Sequence, residues 1–199
     1  MQELKGFETA KVITGGVPQL PKGGYIAKIL DCKEETSASG YTWLAFSFDI
    51  SEGEHKGHFA EQYRANINEN KKWRGTYNAF IPDENSQYYE ENLNKFKTMI
   101  ANIEESNSGY HWDWDETKLK GKTIGVIFGE KEFETENGDV IILTECRGFR
   151  SVDCIKNGKF KMPALKTLNG GAKKASSQST ASANTTNFAV IDSDDDLPF

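Results

Sequence analysis

Leu44-Ala45-Phe46-Ser47-Phe48-Asp49-Ile50-Ser51 alternates large apolar side chains with small or polar ones. Successive side chains of a strand point to opposite faces, so this period puts Leu44, Phe46, Phe48 and Ile50 on one buried face. A half-buried strand needs a sheet packed on one side. Working outward, Tyr25 to Lys33 is rich in Ile, Leu and Ala and runs into a polar loop, Glu34 to Gly40, which predicts a hairpin partner. Further on, Ile124, Val126 and Phe128 alternate with Gly125 and Gly129. Asn137-Gly138, a pair favoured in type I′ turns, then leads into Val140 to Cys146, giving a second hairpin. Between the hairpins, Leu93, Phe96, Ile100 and Ile103 recur at helical spacing, with Gly109 as a stop. The third strand falls either at Glu61 to Ile67 or at Arg74 to Phe80. Three strands, a helix and two strands is the order of a five-stranded oligonucleotide-binding (OB) barrel, mainly β, with one amphipathic helix between strands 3 and 4. An open α+β sheet would produce the same string.

The chain has 199 residues, enough for one domain and a tail, and its 12% of aromatic residues suffices for a core. No run of eighteen apolar residues occurs, and Met1 to Lys11 has no basic region followed by an apolar stretch, so a cytoplasmic protein is expected. Cys32, Cys146 and Cys154 form no CxxC pair and are expected as buried, reduced thiols. The net charge of −6 excludes a globally basic nucleic-acid binder, so any DNA site must be a local patch.

The sharpest boundary falls near Leu168. From Asn169 to Asn187 every residue is Gly, Ala, Ser, Thr, Asn, Gln or Lys, with nothing bulky to bury. A folded domain over 1–168, a disordered linker over 169–191 and an acidic tip over 192–199 are expected. Apolar groups return at Phe188 to Ile191, and the chain ends Asp192-Ser193-Asp194-Asp195-Asp196-Leu197-Pro198-Phe199. A terminal Phe offers a ring for a pocket and a carboxylate for Arg or Lys, while the aspartates attract a basic rim. Acidic tails also serve solubility alone; the apolar end favours a partner.

This ending closely resembles the C-terminal tip of bacterial single-stranded-DNA-binding proteins, which finish in aspartates, an aliphatic residue, Pro and Phe. The resemblance implies that Asp192, Asp194, Asp195, Asp196, Leu197, Pro198 and Phe199 recruit replication, recombination or repair proteins. The body looks more like the single-stranded-DNA-binding proteins of phages and prophages of Gram-positive bacteria. That likeness lies in Leu119 to Leu168, where Lys120-Gly-Lys-Thr-Ile-Gly-Val126 precedes a hairpin and Gly158-Lys-Phe-Lys-Met-Pro-Ala-Leu165 closes the domain. It implies binding of single-stranded DNA in the host cytoplasm, without a cofactor. The body lacks the short N-terminal strand pattern of cellular members, so their tetramer does not carry over and a homo-oligomer is left open.

Two stretches could supply the DNA site. Lys71-Lys72-Trp73-Arg74-Gly75-Thr76-Tyr77-Asn78-Ala79-Phe80 interleaves cations for phosphates with rings for unpaired bases. Here Lys71, Lys72, Trp73, Arg74 and Tyr77 are the candidates, with Trp73 and Tyr77 on one strand face. Trp73 and Phe80 would serve equally as core. The second stretch, Arg147 to Lys161, is cation-rich and offers Arg147, Phe149 and Arg150, with burial of Phe149 as the alternative. Tyr41 and Trp43, across the strand from Leu44 and Phe46, add stacking surface.

Catalytic constellations are thin. His55 and His58 lack a third metal ligand nearby, and no metal site is expected. Asp113, Asp115 and Glu116 beside His111 could hold Mg²⁺ in a nuclease, but an acidic loop anchored by Trp112 and Trp114 explains them as well. No phosphate loop, nucleophile elbow or HExxH motif is present. The sequence therefore points to a non-catalytic single-strand binder, with a protein-binding adaptor or a metal-dependent nuclease as alternatives.

Overall fold

A computed structural model describes residues 17–168 of the chain. Five strands, β1 (Gly23–Thr36), β2 (Thr42–Ile50), β3 (Thr76–Phe80), β4 (Thr123–Glu134) and β5 (Val140–Arg150), form one antiparallel sheet in the order β3-β2-β1-β4-β5. Helix α1 (His58–Ala65) lies between β2 and β3, α2 (Tyr89–Ser106) between β3 and β4, and α3 (Val152–Lys156) follows β5. The linker and tip expected over 169–199 lie outside the described residues.

The alternation that predicts β2 is realised: Leu44, Phe46, Phe48 and Ile50 are all buried, joined in the core by Ile29, Cys32, Ile124, Val126, Phe128 and the α2 residues Phe96, Met99, Ile100 and Ile103. Of the two positions for the third strand, Thr76–Phe80 is the strand, while most of Glu61 to Ile67 belongs to α1. That helix begins at Gly57, which has no side chain to cap it, so Asp49 of β2 supplies the cap. Its carboxylate accepts the N–H groups of Phe59 (2.9 Å) and Ala60 (3.1 Å). Helix α2 stops at Asn107, before Gly109: the Asn107 amide donates to Ile103 O and Thr123 O (both 2.7 Å), tying the helix end to the start of β4.

Both hairpins use one turn design. Gly40 N–H donates to Ser37 O (3.0 Å) and Ser37 N–H to Tyr41 O (2.8 Å); Gly138 N–H donates to Thr135 O and Thr135 N–H to Asp139 O, each at 2.9 Å. Gly40 (φ 87°) and Gly138 (φ 84°) take the left-handed conformation. The type I′ turn expected at Asn137-Gly138 is not formed. It would need positive φ at both residues, and among the described non-glycine residues only Trp114 has it.

The sheet curls so that its two edge strands approach: the Tyr77 ring on β3 lies 4.8 Å from Phe149 on β5. No ladder joins those strands among the described residues, so the closed barrel anticipated from the element order is an open five-stranded sheet. Its outer surface is unevenly covered. A Cβ on Gly125 would meet Ile155 at 2.4 Å, and one on Gly24 would meet Phe160 at 2.5 Å. The chain after β5 therefore lies directly against β4 and β1, whereas on the outer face of β2 and β3 Thr76, Asn78 and Phe80 are exposed among the described residues. No helix among the described residues is long and apolar enough to cross a membrane. Cys32 is buried, Cys146 and Cys154 are partly buried, and all three thiols are free.

Candidate nucleic-acid interface

With even-numbered β2 residues pointing inward, register assigns the other face. Trp43 stands between Phe80 and Glu35, Ala45 between Asn78 and Lys33, and Ser47 between Thr76 and Asp31. Trp43 and Phe80 form a cross-strand pair with ring centroids 6.2 Å apart at 61°. Phe80 is 53% exposed, and Tyr41, in the turn leading to Trp43, is 65% exposed. Beyond the rings, Ala45, Ser47, Thr76 and Asn78 are small, so the surface runs flat along both strands. The α1 N-terminus, docked on Asp49, closes the far end.

Charge is arranged around this strip. Lys72 and Arg74 are exposed at the Thr76 end and make no ion pair among the described residues. Lys33 is engaged by Asp31 at 3.0 Å, which holds the Asp31 carboxyl below its usual range. Lys71 lies over the Tyr63 ring, 4.6 Å from its centroid. Phosphates would meet free cations at one end of the strip and rings at the other.

The remaining sequence candidates fall elsewhere. Trp73 is half-buried, its indole N–H donating to Phe48 O and Gly75 O, both at 3.1 Å, with its ring against Phe59 and Tyr63. Tyr77 points inward, and burial pushes its phenol up to about 12. Phe149 is 2% exposed, packed on Phe46 (5.0 Å) and Tyr77, so its ring is a core element with no face free for a base. The cause is a bulge: Ile127 pairs with Gly148 but Phe128 with Cys146, leaving Arg147 unpaired and turning Phe149 inward. Arg147 pairs at 3.0 Å with Glu145, a carboxylate that Lys131 also meets at 3.1 Å. Arg150 is exposed, donates to Phe149 O (2.8 Å) and stands near the Tyr77 hydroxyl at the gap between β3 and β5. The structure thus unites Tyr41 and Trp43 but separates them from Trp73, Tyr77, Arg147, Phe149 and Arg150. It adds Phe80, whose outward parity follows only once β3 is registered against β2.

The acidic loop is self-contained. Lys118 bridges Asp113 and Asp115, while Asp115 accepts the Thr117 N–H (3.1 Å) and hydroxyl (2.5 Å). Among the described residues no three His, Cys, Asp or Glu side chains are grouped to hold a metal. Tip residues Asp192 to Phe199 lie outside the described residues.

No protein-family model matches the chain, and no curated protein is significantly similar to it.

Proposed function

We propose that the chain binds single-stranded DNA without catalysis, in replication, recombination or repair, with the outer face of β2 and β3 as its stacking platform. The observation that carries this is the gathering of Tyr41, Trp43 and Phe80 on one sheet face, with Tyr41 and Phe80 exposed among the described residues. Flat rings suit unpaired bases of any sequence, and small neighbours let a strand lie close. Lys72 and Arg74 extend the strip with cations for phosphates. The strand order is that of an OB barrel opened between β3 and β5, and that fold uses the same strand face and the adjoining loops for oligonucleotides. We carry over from the sequence resemblance the recruitment of processing proteins by Asp192 to Phe199. On coated DNA such capture becomes effectively intramolecular, so the tip alone needs little affinity.

Fluorescence titration with oligothymidylate tests the platform. Tryptophan quenching that weakens as salt rises is expected, since phosphate contacts release counterions. Replacing Lys72 and Arg74 together by Gln should flatten the salt slope by about one to two units. Deleting residues 192–199 should leave DNA affinity unchanged or slightly raised. No quenching in dilute buffer would reject the proposal in favour of an adaptor that binds only proteins, and cleavage of labelled strands in Mg²⁺ would reject it in favour of a nuclease.

A further inference from the structure

Between α2 and β4 the chain forms a loop that the DNA platform does not use. From Glu104 to Glu116 it carries Glu104, Glu105, Asp113, Asp115 and Glu116, one histidine, and no Lys or Arg. Two tryptophans stand in this run, and the sequence suggests both as anchors. Trp112 is one: it packs half-buried on the core, and its backbone N–H donates to the Glu104 carboxylate at 2.7 Å. Trp114 is not. It is 76% exposed, its ring 6.1 Å from that of Trp112 and tilted at 58°. Its φ of 65° is a left-handed backbone that bulky residues avoid. A large ring held in solvent on such a backbone is not accounted for by folding alone.

Contacts within the loop show what it attracts. Lys122 Nζ lies 4.3 Å from the centroid of the Tyr110 ring, and Lys118 bridges Asp113 and Asp115. The chain's own cations thus sit on a ring and on carboxylates. Part of the loop is left without them: among the described residues Glu105 and Glu116 make no ion pair, and no cation lies over Trp114. Tyr110 is 9% exposed, yet its hydroxyl has no hydrogen-bond partner among the described residues, although Asp113, Glu104, Lys118 and Asp115 all act on it. Buried hydroxyls are ordinarily paired.

We infer that this loop, with Trp114 at its centre, is a docking surface for a basic segment of a partner protein, held through an arginine side chain. A guanidinium is planar and weakly hydrated, so it stacks on an indole while its N–H groups reach a neighbouring carboxylate such as Glu116. An ammonium pairs with the carboxylates and gains less from the ring. Phosphates are repelled by the acids on either side, which makes a nucleic-acid strand the wrong occupant. No three groups among the described residues are placed to hold a metal instead. Tyr41, Trp43, Phe80, Lys72 and Arg74 take no part, so this surface stands or falls apart from the DNA reading.

The test is a titration of the full chain with capped tetra-arginine and capped tetra-lysine peptides, followed by the indole N–H resonances of its four tryptophans. A saturable shift of the Trp114 resonance is expected, reached at lower concentration with tetra-arginine. Trp114→Asn removes the ring and suits a left-handed backbone; it should weaken tetra-arginine binding by about two- to fivefold and abolish the preference over tetra-lysine, with the melting temperature held. Glu116→Gln, which keeps the ring, should weaken both peptides by about twofold. Deleting residues 192–199, whose aspartates also attract cations, should leave the Trp114 shift in place. A Trp114 resonance that stays still under tetra-arginine overturns the inference, and so does equal affinity for the two peptides that ignores Trp114→Asn. A Trp114 shift produced by oligothymidylate would overturn it too, by giving the ring to DNA.

Discussion

On β3, Tyr77 and Phe80 lie three residues apart and face opposite ways. Phe80 joins Trp43 on the outer face, its ring half in solvent, whereas Tyr77 joins Phe149 in the seam between the edge strands. The residue types are alike, and position on the pleat decides which ring can meet a ligand and which holds the sheet in its curl. Inner rings should therefore govern stability and outer rings affinity. Substituting one of each tests whether those roles separate.

The largest effect is expected inside. Phe149→Ala removes a ring packed on Phe46, Phe48 and Tyr77 and leaves a cavity where β5 approaches β3. Loss of about 3–5 kcal/mol of stability is expected, read from urea denaturation. Molecules that remain folded should bind oligothymidylate as before. Loss of binding at full stability would place Phe149 on the DNA and break the distinction between the faces.

Outside, the expectation reverses. Trp43→Ala and Phe80→Ala should each weaken binding by about 1–3 kcal/mol, the usual worth of one stacked base. Phe80→Ala, at a half-exposed site, should change stability by less than about 1 kcal/mol. Fluorescence anisotropy of a labelled strand checks both variants. Unchanged affinity in the pair would remove the platform.

Trp73 sharpens the comparison because the sequence joins it to the DNA candidates and the structure makes it an anchor. Trp73→Phe keeps most of the ring but leaves Phe48 O without its indole donor. A stability loss of about 1 kcal/mol is expected, with DNA affinity unaltered. If affinity fell and stability held, the site would extend around the β2 edge to α1.

These contrasts also mark what the sequence could convey. Strand β2 was legible because one of its faces is buried over its whole length, and α2 because its apolar residues keep a helical period. The third strand is ambiguous: Glu61 to Ile67 and Arg74 to Phe80 are both mixed in polarity, and the Asp49 cap on the helix that takes most of the first comes from another element. Trp43 was placed outward correctly, by parity with Leu44. Phe149, open to DNA contact or burial from its cation-rich stretch, turns inward because Arg147 bulges, an event decided by pairing with β4 and invisible in the order of residues. Phe80 stayed hidden because a short strand with one small inward residue, Ala79, has no alternation strong enough to orient it. Cation-rich stretches point to Arg147, and its pairing with Glu145 is a contact that composition does not show.

The smallest effect concerns acid. His58 opens α1, buried against Phe59 with their ring centroids 5.0 Å apart, and so belongs to the inner set. Burial chiefly, and then His55, hold its imidazole below the usual range, against the opposing pull of Asp49 and Glu61. The folded state thus takes up this proton less readily than the unfolded chain. Stability from the neutral ring is fully present above the ordinary imidazole value and declines as pH falls through it toward the lowered one. His58→Phe should remove that decline, seen as a flatter plot of urea midpoint against pH below neutrality. Trp43 and Phe80 bear no titratable group, so DNA affinity per folded molecule should stay level while stability falls. A parallel loss of affinity would mean that α1, through Asp49, holds the far end of the platform in place, and the two faces would then be coupled.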